Sequence, residues 1–137
     1  VILDTAVLIA AERGAFDMAG YLAALGDEPV ALAAISASEL LHGVERARDP
    51  AARQRRGEFV EGVLANVPVI PFGLAEARAH ARTRAALAAG GTLVGAHDLQ
   101  VAATALVAGS AVATLNEAEF RRVPGLALAE FGAFRRG

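Results

Sequence analysis

The chain opens on a short apolar run, Val1 to Leu3, which stops at Asp4, and Thr5 to Glu12 then has helical character, so a strand feeding a helix is expected. From Ala15 to Leu25 the apolar residues Phe16, Met18, Ala19, Leu22 and Leu25 recur at spacings near three and four, which predicts an amphipathic helix. Gly26 and Pro29 break the pattern before a β-compatible run from Val30 to Ile35. Ser36-Ala37-Ser38-Glu39 reads as a capping box, and it predicts a helix through Leu40, Leu41 and Val44 toward Arg48. Asp49-Pro50 punctuates, after which Ala51 to Ala65 carries Phe59, Val60, Val63 and Leu64 on one side; the two helices form an αα-hairpin. Val67 to Phe72 reads as a buried strand whose Pro68 and Pro71 must lie near its ends or on an edge. A helix from Leu74 to Ala89 is stopped by Gly90-Gly91. Ala96 to Ala108 is apolar nearly all round, as in a helix enclosed by the molecule. Ala111 to Leu115 is the next strand, Asn116 to Arg122 a loop or short helix, and Leu126 to Phe131 a final short strand.

Strands separated by helices imply parallel pairing, because parallel neighbours need long crossovers. The expected fold is α/β: a three-layer α/β/α sandwich around a central, mainly parallel sheet. With 137 residues, 55% of them hydrophobic, the chain is read as one domain spanning 1–137. The absence of cysteine excludes a disulfide framework, a thiolate nucleophile and a sulfur-built zinc site, and it fits a reducing cytoplasm. The apolar start is interrupted by Asp4 and Thr5 and is far shorter than the roughly 20 residues a membrane-spanning helix needs. A net charge of −2 argues against a protein held on nucleic acid by bulk positive charge. All 13 basic residues are Arg, which coding bias explains more simply than function does.

Three carboxylates change the picture. Asp4 ends the first strand, at the edge where open α/β sheets place their ligands, and a carboxylate buried there unpaired is costly. Its competing reading is a cap for the helix that follows. Glu39, as the last member of the capping box, needs no other purpose when taken alone. Asp98 near the start of the enclosed helix gains from the helix dipole, but a gain of about 0.3–1 kcal/mol is a weak reason to keep a charge beside so apolar a segment. If the first strand is central the three acids converge, and close anions repel without a cation. Oxygen-only ligands suit Mg²⁺ or Mn²⁺ rather than zinc. Asn116, Glu117 and Glu119 follow the strand Ala111 to Leu115 to the same edge and are placed to complete the set.

Four ordered segments, Ile2-Leu3-Asp4-Thr5-Ala6-Val7-Leu8-Ile9, Ser36-Ala37-Ser38-Glu39-Leu40, Gly95-Ala96-His97-Asp98-Leu99-Gln100-Val101-Ala102-Ala103 and the stretch from Thr114 to Leu126, together resemble PIN-domain ribonucleases, specifically the VapC-type toxins of bacterial toxin–antitoxin pairs. The resemblance implies that Asp4, Glu39 and Asp98 form an acidic metal cluster holding Mg²⁺ or Mn²⁺, with the Thr5 hydroxyl beside the first ligand. At Asn116, where a fourth acid often stands, this chain carries an amide and supplies Glu119 three residues on. The implied activity is hydrolysis of RNA phosphodiesters to inhibit translation or growth. The implied partners are an RNA substrate, a cognate antitoxin whose apolar helix lies in a groove made by the αα-hairpin, and a second copy of the chain. The family pattern assigns no chemistry to His42, His80 or His97, which read as surface or packing residues.

Two other readings compete with this one. Phosphoaspartate-forming α/β domains also end strand one on Asp, but they use a Lys to steady the phosphoryl group, and this chain has none. The second is a PIN-like binding or regulatory module, catalytically weakened at Asn116.

Overall fold

The structure is a computed structural model that describes residues 1–136. Among the described residues, four two-residue strands, β1 (Ile2–Leu3), β2 (Leu32–Ala33), β3 (Val69–Ile70) and β4 (Val112–Ala113), are interspersed with seven helices. These are α1 (Thr5–Glu12), α2 (Met18–Leu25), α3 (Ala34–Arg46), α4 (Pro50–Asn66), α5 (Leu74–Ala89), α6 (Ala96–Ala108) and α7 (Glu117–Phe120), followed by a 3-10 turn at Gly132–Phe134.

Every pairing within the sheet is parallel. Ile2 and Leu3 face Val112 and Ala113, and Leu32 and Ala33 face Val69 and Ile70. Ile2 also bridges Ala31, and Val112 bridges Leu128. Across the sheet the order is therefore β3, β2, β1, β4 and then the segment around Leu128, with β1 in the middle. Residues alternate between faces. Leu3, Leu32 and Ala113 join one apolar cluster with Val7, Leu8, Tyr21, Leu40 and Val60. Ile2, Ala33 and Val112 join the other with Val101, Ala102, Ala105, Phe120 and Val123. Helices thus cover both faces, the predicted three layers.

Helix ends follow local chemistry. Asp49 caps α4 by accepting from Ala52 N at 3.1 Å, with Pro50 in the first turn, so the αα-hairpin forms as predicted. Gly109 closes α6 at φ +65°, a conformation that favours glycine. Three expectations are corrected. The helix placed from Ala15 begins at Met18, because Asp17 caps it through Gly20 N. The strand through Val67 to Phe72 is not buried: β3 lies at the edge, and Val69 is 39% exposed. The strand from Leu126 to Phe131 reduces to a single bridge at Leu128, after which Phe131 and Phe134 leave the sheet and pack against Tyr21.

Candidate active site

The carboxyl ends of β1, β2 and β4 lie side by side, and the chain leaves β1 toward β2 on one flank and reaches β4 on the other. This is the switch point at which open parallel sheets gather ligands. Asp4 stands at its centre, 5% exposed. Its Oδ1 accepts from Thr5 N at 2.9 Å, and its Oδ2 accepts from Thr114 Oγ1 at 2.8 Å. Asp4 is therefore both the helix cap and the central acid; the two readings of the sequence are compatible. Burial pushes its carboxyl above the usual range against these two hydrogen bonds, and the charges of Glu39 and Glu119 push it further.

Asp98 lies in the first turn of α6. Its carboxyl is pushed up to about 6, first by burial and then by the charges of Asp4 and Glu119. Asn116 Nδ2 donates to Asp98 Oδ2 at 3.2 Å and to Glu119 Oε2 at 2.6 Å, so the amide stands between two carboxylates as a shared donor. The other oxygen of Glu119 accepts from Gly95 N, the backbone group that opens α6. That bond and the Asn116 amide hold the Glu119 carboxyl below its ordinary value.

Glu39 is not a capping residue. Helix α3 begins at Ala34 with Ala33 as its cap and without a side-chain cap bond, so Glu39 sits in the second turn and Ser36 is buried inside the first. The capping box that explained Glu39 in the sequence does not form. His97 Nδ1 lies 3.2 Å from Glu39 Oε1, linking α3 to the start of α6.

The predicted residues Asp4, Glu39, Asp98, Asn116 and Glu119 thus meet at one edge, within electrostatic reach of one another. Among the described residues, no three of the His, Cys, Asp and Glu side chains stand as a ready-made metal cluster. The hydrogen bonds account for this: Glu119 is turned to Gly95 and Asn116, and Glu39 to His97. The donors nonetheless fit a hard divalent cation. They are all oxygens, Asp98 is held near 6 by burial and then by the charges of Asp4 and Glu119, and the Thr5 hydroxyl beside Asp4 is buried without a partner. Two members escaped the sequence reading. Thr114 was passed over as the end of a strand; a hydroxyl two residues before Asn116, beside a strand ending on Asp4, was the available signal. From the sequence His97 is a surface or packing residue, and no signal there joins it to Glu39.

The PIN domain family matches residues 1–126, and the chain belongs to it. Within that class, it is 32% identical over 126 residues to "Ribonuclease VapC" of Rickettsia bellii, covering 92% of each chain. It is 31% identical over 107 residues to "tRNA(fMet)-specific endonuclease VapC" of Salmonella typhimurium, covering 78% of this chain and 79% of that one. Among solved structures, the DNA-bound VapBC of Salmonella typhimurium superposes with a TM-score of 0.84 at 29% identity, over 93% of this chain and 95% of that one.

Proposed function

We propose that this chain is a divalent-metal-dependent endoribonuclease, one domain long and cytoplasmic, that acts as the toxin of a toxin–antitoxin pair. The observation that carries the reading is the meeting of Asp4, Asp98 and Glu119 at the switch point of a parallel sheet, where burial first and then the charges of the other two raise Asp98. Asp4 and Asp98 would hold Mg²⁺ or Mn²⁺, with Glu39 and Glu119 closing the set and the Thr5 hydroxyl beside it. Such an ion, when bound, lowers the pKa of water and offsets charge on the phosphoryl oxygens. The chain's own residues supply the rest. Thr114 and Thr5 N fix the Asp4 carboxylate, Asn116 spaces Asp98 from Glu119, and Glu39 would ligate through water or accept its proton.

The antitoxin reading rests on the relatives and on one surface. An apolar groove of about 350 Å³ is lined by Leu8, Met18, Leu22, Phe59 and Val63. It runs between α2 and α4, on the outer flank of the second helix of the αα-hairpin. An amphipathic helix fits such a surface. No described helix is long and apolar enough to cross a membrane. A homodimer is part of the same proposal.

The test is cleavage of structured RNA by the purified chain with Mg²⁺ or Mn²⁺, beside Asp4→Asn and Asp98→Asn. Each substitution is expected to lower the rate by about 100-fold or more, the scale on which loss of a positioned electrostatic group is felt. A parent chain that cuts no RNA and binds no Mn²⁺ by calorimetry would give the case to the binding-module reading.

A further inference from the structure

Beside the acidic centre, α1, α3 and α4 leave a small pocket of about 100 Å³ between them. Glu39 is part of its wall, so the pocket adjoins the proposed site of cleavage. Three guanidinium groups line it, one from each helix: Arg13 from the end of α1, Arg46 from the end of α3 and Arg56 from α4. On α3, Glu39 and Arg46 are seven residues apart and share one face. The apolar floor includes Leu40 and Val60, both buried, so an occupant stays at the level of the arginines.

The three guanidiniums are not equivalent. Arg56 is engaged, with Nε 3.5 Å from Glu12 Oε1 and Nη1 donating to Gly43 O at 3.1 Å. Among the described residues, neither Arg13 nor Arg46 has a salt-bridge partner. Against three arginines the pocket sets two carboxylates, Glu12 and Glu39, which leaves a single formal positive charge. A cation at the end of a helix offsets the dipole, and that accounts for Arg13 and Arg46 taken one at a time. It does not account for three arginines from three helices lining one pocket against Glu39.

We infer that this pocket is a subsite for one backbone phosphate of the RNA strand being cut, next to the bond that is hydrolysed. Arg13 and Arg46 bind the phosphate oxygens through their forks, and Arg56, fixed by Glu12 and Gly43, forms the wall behind them. The single net charge suits one anion and agrees with a chain of net charge −2, which has no bulk attraction for nucleic acid. The inference rests on the ribonuclease reading and adds to it the place where the strand is held.

The experiment measures binding without cleavage. In chelator, and on an Asp98→Asn background, a labelled random-sequence single-stranded RNA is titrated by anisotropy between about 50 and about 200 mM salt. Arg13→Gln and Arg46→Gln should each weaken binding, and the double variant should reduce the slope of log affinity against log salt by about 0.7, the share of one phosphate. Arg13→Lys and Arg46→Lys should keep the slope and lose affinity, because charge stays and the fork goes. Arg55→Gln, on the exposed surface of α4, should change neither. An unchanged slope in the double variant overturns the proposal. So does a double variant that loses a helical protein partner while its RNA slope stays intact, since the pocket then belongs to that partner. Failure of the ribonuclease reading is separately visible, because the parent chain would then cut no RNA in the presence of metal.

Discussion

At the scale of residues, the site is governed by how few of its charges are neutralised. Asp98 ordinarily titrates at 3.8 and is pushed up to about 6, so the folded chain holds this proton more tightly than the unfolded chain does. Its contribution to stability is fully present below pH 3.8 and is lost as the pH rises through about 6. In chelator, Asp98→Asn should therefore be more stable than the parent at neutral pH, and this advantage should vanish below pH 3.8; urea denaturation across that window checks it. Thr114 gives a second prediction. Thr114→Val leaves Asp4 Oδ2 without its donor in a buried site, at an expected cost of about 1–3 kcal/mol in urea denaturation, and cleavage should fall with it. Thr114→Ser should restore most of both. Asp4 and Asp98 were legible in the sequence because each is a charge set against apolar neighbours. Thr114 was not, since a threonine at the end of a strand is ordinary until the fold shows what stands across from it.

Among elements, those with chemical punctuation were read well. Helices α1, α5 and α6 run between the residues expected of them, two of them closed by glycine at Gly90 and Gly109. The error at α3 has a physical cause. Ser36 and Glu39 have the spacing of a cap, but the chain turns helical at Ala34, directly after β2, and Ser36 goes into the core. Tertiary packing overrode a local signal. The start of α6 is the converse case, because its cap comes from afar: Glu119, 24 residues on, accepts from Gly95 N. No local pattern announces such a cap. Glu119→Ala should cost about 1 kcal/mol in thermal or urea denaturation, the usual scale of a lost cap. Glu119→Gln keeps an acceptor and should retain most of that stability. Mn²⁺ binding by calorimetry should weaken in both variants, which separates the cap from the ligand.

For the whole molecule, the parallel sheet was predictable from the alternation of strands and helices, whereas its order was not, because the sequence does not say which strand lies in the middle. Placing β1 there is what brings Asp4 between the ends of β2 and β4. The sheet also has a free margin at β3, where Val69 and Ile70 lie between Pro68 and Pro71. The Pro68 carbonyl accepts from Leu32 N and so faces β2, whereas Pro71 faces outward and offers no N–H, which makes this margin a poor ladder for a further strand. Replacing Pro71 with valine should raise fibril formation, followed by thioflavin fluorescence under mild heating, with little effect on RNA cleavage. The folded chain is thereby denied one route to irreversible polymerisation. A partner at this edge has to grip side chains, and such a grip can be released.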